Sequence, residues 1–185
     1  MPLESHNVAK STKAMESENT VECVELEKEE MGSVNHSITQ TNLAISLSSN
    51  HPFRVMTELS LDIGNMDLTP FGLKAKKELK SDVCVYPIDA INGSSEQDIV
   101  RMPDMPLLAI EVLSPEQGIN ELMSKIRAYF ALGVKSCWLV LPIPGTITVY
   151  SAPGKFRTFV PENNEVVDEV ADIRLPIKNI FSWLS

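Results

Sequence analysis

Hydrophobic and polar positions along this chain separate into blocks with two periods. Residues 53–63 alternate, with Val55, Thr57, Leu59, Leu61 and Ile63 on one side and Arg54, Met56, Glu58, Ser60 and Asp62 on the other. That period of two predicts a half-buried strand. Just before it, Ile38, Leu43, Ala44, Ile45 and Leu47 make an imperfect amphipathic helix over 35–49. His51-Pro52 ends that helix, because a residue preceding proline disfavours the α region. After the strand, 64–80 reads as a loop holding Pro70, Gly72 and the basic cluster Lys74, Lys76, Lys77 and Lys80. A second strand is predicted over 82–88, then a polar connection over 90–103 with a turn at Asn92-Gly93. Residues 106–113 are apolar almost throughout, as in a central strand covered on both faces, and only Glu111 interrupts them.

Pro115 then opens a helix predicted to run to residue 132. Ile119, Leu122, Met123, Ile126, Tyr129 and Phe130 form its apolar stripe, and Gly133 suits its C-cap. Residues 137–141 read as another buried strand, reached by a right-handed crossover if it lies parallel to the Glu111 strand. A hairpin follows over 146–151 and 155–160 around Pro153-Gly154, then a strand over 165–170 and a short closing helix over 177–184. The order α-β-β-β-α-β-β-β-α, without internal repeats, predicts one α/β (α+β) domain.

Composition divides the chain once. Residues 1–31 are polar, with eight acids against three bases, and read as an acidic, loosely ordered arm ahead of a domain over 32–185. The arm's net −5 leaves −4 of the total −9 for the remainder. Proteins that bind nucleic acid non-specifically carry a basic excess, so binding here has to be local, metal-assisted or partner-assisted. Cys23, Cys84 and Cys137 have no CxxC spacing, which points away from a disulfide framework or a zinc site. No apolar run reaches the ~18 residues of a membrane span and the N-terminus lacks a signal-peptide core, so the expectation is a cytoplasmic protein with no membrane partner.

Three residues carry the candidate chemistry. A carboxylate inside an apolar strand is costly unless paired, hydrogen-bonded or bound to a metal, so Glu111 either bridges to a cationic side chain or serves a metal. Asp82 opens the preceding predicted strand. It either caps a turn after Ser81 or joins Glu111 at one sheet end, where two hard oxygen ligands suit Mg2+ or Mn2+ and the backbone carbonyl of Val112 adds a third. At about 100° per residue, Lys125 lies about 40° beyond Tyr129 on the helix. There it is either a snorkelling surface lysine or a group that orients attacking water and stabilises charge on a phosphate.

The stretch 81–150 resembles the Uma-type family of nucleases, within the PD-(D/E)XK restriction-endonuclease superfamily. The resemblance rests on Ser81-Asp82-Val83, on Pro106-Leu-Leu-Ala-Ile-Glu111-Val-Leu-Ser114-Pro115, on Lys125-Ile-Arg-Ala-Tyr129, on Leu132-Gly133-Val134 and on Cys137-Trp138-Leu-Val. Residues 36–47 and Thr57-Glu58-Leu59-Ser60-Leu61 are similar to the family's opening helix and first strand. The resemblance implies a restriction-endonuclease-like core, a four-stranded mixed β-sheet flanked by helices, and metal-dependent hydrolysis of DNA phosphodiester bonds. Asp82 and Glu111 match the two acidic motif positions. Leu113 occupies the usual lysine position, and Lys125 matches the lysine supplied from the next helix. Ser81 replaces the usual proline.

Further candidates are Glu58 as an additional carboxylate or a solvated strand residue, His36 as a family histidine or a surface group, and Tyr129 as a core residue whose hydroxyl reaches the site. Ser114 is expected to cap the helix rather than act as a nucleophile, since no histidine is spaced to serve it. Analogy with enzymes that cut both strands implies a homodimer. The acidic balance keeps open an alternative: a non-catalytic nucleic-acid- or protein-binding module that retains the fold.

Overall fold

The computed structural model describes residues 32–50, 52–74, 77–91 and 97–183. The acidic arm, Cys23, Lys76, the Asn92-Gly93 turn and His51 lie outside the described residues. Helix α1 (Val34–Asn50) opens at Ser33, whose Oγ accepts the His36 N–H at 3.2 Å as an N-cap. It buries Thr39, Leu43, Ser46 and Leu47 at helical spacing. Strands β1 (Phe53–Asp62), β2 (Glu78–Pro87) and β3 (Leu108–Val112) follow, then α2 (Ile119–Leu132) and strands β4 (Ser136–Leu141), β5 (Thr146–Ala152) and β6 (Lys155–Phe159). Strands β7 (Glu165–Asp168) and β8 (Ile173–Pro176) form a separate hairpin, and α3 (Ile177–Ile180) is a single turn.

The fold is α/β, with one six-stranded mixed sheet in the order β1-β2-β3-β4-β5-β6 between two layers of helices. Only β3 and β4 run parallel, joined by α2 as the crossover, and the other pairs are antiparallel. On one face α1, α3 and the β7–β8 hairpin close a core around Trp138, Ile110 and Phe181. On the other face α2 packs Leu122, Ile126 and Tyr129 over Cys84, Ala109 and Cys137. Asp168 ties the hairpin to the sheet, its Oδ2 accepting from Trp138 Nε1 at 2.7 Å and from Ser136 Oγ, its Oδ1 from the amides of Val170 and Ala171. Strand β6 is short, and its exposed outer edge carries Lys155 and Arg157, charges that discourage further strand addition. No helix among the described residues is long and apolar enough to cross a membrane.

Several sequence expectations change. The four-stranded mixed core implied by the resemblance lies within a six-stranded sheet, which the β5–β6 hairpin extends. Strand β2 starts at Glu78, so Asp82 sits within a strand and does not open one; Glu78 and Lys80 look loop-like only because they are exposed. Helix α2 starts at Ile119 behind an extended Gly118, not at Pro115. Ser114 therefore does not cap it: its carbonyl accepts the Gln117 N–H in the intervening turn. The predicted strand over 165–170 stops at Asp168, where the chain turns back into β8. The closing helix is shorter than predicted, ending at Ile180.

One irregularity positions Asp82. Strands β1 and β2 pair from Phe53↔Pro87 to Thr57↔Val83 and again from Leu59↔Ser81 to Asp62↔Glu78, skipping only Glu58 opposite Asp82. Glu58 has φ +56°, a left-handed conformation that costs a non-glycine residue about 1–2 kcal/mol. Across this rung both strands exchange faces. Phe53, Val55, Val83 and Val85 pack against the α1 side, whereas the odd-numbered Leu59, Leu61 and Leu79 pack on the α2 side. The single alternating face predicted for β1 is thus two half-faces joined at Glu58.

Candidate active site

Asp82 falls where the ladder breaks on both of its edges. Toward β3 the last pair is Val83↔Ile110, so Asp82 and Glu111 are the first residues beyond the regular register. Ser81 Oγ lies 3.1 Å from the carbonyls of Val83 and of Ile110, and its one hydrogen serves one or is shared between them, tying the break shut. The Asp82 carboxylate accepts the Val112 N–H through Oδ2 at 2.6 Å, a charge-assisted bond. The Val112 amide thus steadies Asp82, while its carbonyl, the expected third ligand, is a separate group that this bond leaves untouched. His36 Nε2 lies 3.4 Å from the same oxygen.

Glu111 is 1% exposed and fixed from α2. Lys125 Nζ donates to its Oε2 at 2.8 Å, and the Tyr129 hydroxyl lies 2.5 Å from its Oε1 and 3.0 Å from the Lys80 carbonyl. Lys125 and Tyr129 are one helical turn apart, which presents both head groups to one carboxylate. Lys125 is itself buried, although by helical angle it lies just outside the apolar stripe beyond Tyr129. Burial pushes the Glu111 carboxyl up to about 7, with the Lys125 charge opposing and the Asp82 charge reinforcing the rise. A phenol has one proton. With Glu111 ionised, Tyr129 donates to the carboxylate; with Glu111 protonated, the carboxyl can donate and Tyr129 turns its proton to Lys80. Burial, then the nearby Glu111 charge, hold the Tyr129 phenol well above its ordinary value, so it stays protonated.

Of the residues singled out from the sequence, the structure brings Glu111, Lys125 and Tyr129 into direct contact and sets His36 beside Asp82. Glu58 stands across the skipped rung, exposed, with Lys80 Nζ 2.8 Å from its Oε2. Among the described residues no group of three or more His, Cys, Asp or Glu side chains forms a ready cation cage. The donor set still suits Mg2+, which keeps several waters and commonly takes only one or two carboxylates from the protein. Each oxygen of Glu111 engages one donor in these contacts and retains a second lone pair. A carboxyl lifted by burial and by a neighbouring carboxylate is also one that a cation would bring back down.

Gln40 was not singled out from the sequence. Its amide Nε2 donates to Glu58 Oε1 at 2.7 Å and to the Asp82 carbonyl at 2.9 Å. No sequence signal marks it, since it is one of many uncharged polar residues on α1.

A family profile described as "Putative restriction endonuclease", Uma2, matches residues 15–177. Among solved structures, a "putative nuclease" from Anabaena variabilis superposes with a TM-score of 0.65 at 23% identity, over 84% of this chain and 84% of its own. That likeness concerns the fold. No curated protein matches the sequence. With the profile spanning far more than half of its length, the chain belongs to the Uma2 family of restriction-endonuclease-like proteins.

Proposed function

We propose that the protein is a metal-dependent endonuclease hydrolysing DNA phosphodiester bonds. The observation that carries this reading is Glu111: a carboxylate buried in a central strand, contacting Lys125, one strand away from Asp82. Asp82 and Glu111 would hold Mg2+, with Mn2+ as a substitute, and the ion would supply an activated water and a Lewis acid for the phosphate. The chain's own residues do the rest. Val112 N–H and Gln40 hold Asp82 from either end, so its carboxylate is preorganised. Lys125 partly offsets the negative charge at Glu111 and offers hydrogens to a water or to a phosphoryl oxygen as charge develops there. Tyr129 keeps Glu111 in one rotamer. His36 is a polar neighbour of Asp82 that can orient its carboxylate or a bound water.

A second reading draws on the contacts already made to Glu111: Lys125 and Tyr129 occupy both of its oxygens, as in a fold-retaining module that binds nucleic acid or protein without cutting. Plasmid nicking with Mg2+ or Mn2+, by wild type and Glu111→Gln, separates the two. Metal-dependent nicking lost in the variant supports hydrolysis; identical, metal-independent behaviour of both proteins sinks it.

A further inference from the structure

We propose that Gln40 is a positioning residue for the metal pair, fixing Asp82 by replacing the ladder bond that β1 fails to supply. This rests on the metal-hydrolysis reading and deepens it. Asp82 is 6% exposed and its rung is skipped, so its carbonyl needs a donor from outside the β1–β2 ladder. The Gln40 amide nitrogen, reaching in from α1, is that donor at 2.9 Å. Its other hydrogen goes to Glu58 Oε1 at 2.7 Å, and Glu58 is held in turn by Lys80 at 2.8 Å. Both acceptors require the nitrogen and not the amide oxygen, so only one orientation of the side chain satisfies them. The left-handed backbone at Glu58 turns that side chain out of the normal alternation, where Gln40 and Lys80 both reach it. Lys80, Glu58 and Gln40 thus form a chain of contacts ending on the main chain of Asp82, while Val112 holds its carboxylate. A group that orients a ligand in this way acts on metal affinity more than on the fold.

The test is calorimetric titration of the full-length protein with Mn2+, comparing wild type with Gln40→Met, which keeps length without a donor, and Gln40→Glu, which keeps shape and sets a charge against Glu58. The expected result is dissociation constants weaker by about 10- to 100-fold in both variants, with unchanged far-UV circular dichroism. Nicking at saturating Mn2+ should then return to within a few-fold of wild type. Variants that bind Mn2+ as wild type does overturn the role of Gln40 and leave the metal reading intact. Wild type that binds no Mn2+ ends the metal reading and this role together. A measurement needing no variant is hydrogen exchange of the Gln40 side-chain amide in the wild-type protein: protection is expected, and free exchange would overturn the contact itself.

Discussion

The Lys125 ammonium sits 2.8 Å from Glu111 Oε2, and both side chains are buried. A pair desolvated to this degree is held by mutual need: each charge is tolerable because the other is present. Removing one partner leaves the other unpaired in the interior, and that asymmetry governs how variants here behave.

Lys125→Met is expected to lower stability by about 1–3 kcal/mol at pH 8, where Glu111, without the charge that opposes its rise, either stands as a lone buried carboxylate or has to take up a proton. At pH 5, where Glu111 carries a proton, the loss should shrink to the packing change alone. The double variant Glu111→Gln/Lys125→Met should recover much of the pH 8 loss. Urea denaturation of the four proteins at both pH values measures this; additive losses would contradict the pairing.

The Glu111 carboxyl titrates near 7, raised from an ordinary 4.5 chiefly by burial. The folded state therefore holds this proton more tightly than the unfolded chain. Its contribution to stability is fully present below 4.5 and is lost as pH rises through about 7, up to roughly 3 kcal/mol in all. Other carboxylates superpose their own trends, so the informative quantity is a difference. In metal-free buffer, wild type should lose more stability than Glu111→Gln between pH 5 and pH 8, and parallel profiles would count against a raised Glu111.

A cation binding beside Glu111 has to displace that proton. Affinity for Mg2+ or Mn2+ should therefore rise with pH to about 7 and level off above it. At pH 6, binding should release up to about one proton. Titration calorimetry in two buffers of different ionisation enthalpy reads the proton count directly. Binding without proton release would place the ion away from Glu111.

Asp168 supplies a control far from this chemistry. Asp168→Ala strips the acceptor from Ser136, Trp138 and two backbone amides at once. The expected cost is about 3 kcal/mol or more, with Mn2+ affinity unchanged while the protein remains folded. A matching loss of metal affinity would mean that stability and site are coupled through the sheet.

Much of this arrangement was legible in the sequence. An acid within residues 106–113 announced Glu111, and helical spacing set Lys125 and Tyr129 on one side of α2. The face exchange at Glu58 was not legible. Both faces of β1 pack partly against the cores, so apolar residues suit either side, and Val55, Thr57, Leu59 and Leu61 alternate smoothly across a backbone reversal. Gln40 was missed because a side chain that works by reaching across to another element leaves no period. Strand β8 was missed because Arg174 and Pro176 dilute its short alternation of Ile173 and Leu175.

Because β1 and β2 change sides on the same rung, neither can lose its odd residue alone. Deleting Glu58 by itself would straighten β1 with Leu59 and Leu61 still facing α2, but would set them one step out of register with Ser81 and Leu79. Only joint removal of Glu58 and Asp82 would give a regular sheet, and that sheet would lack the acid. The irregularity and the candidate acid occupy one rung.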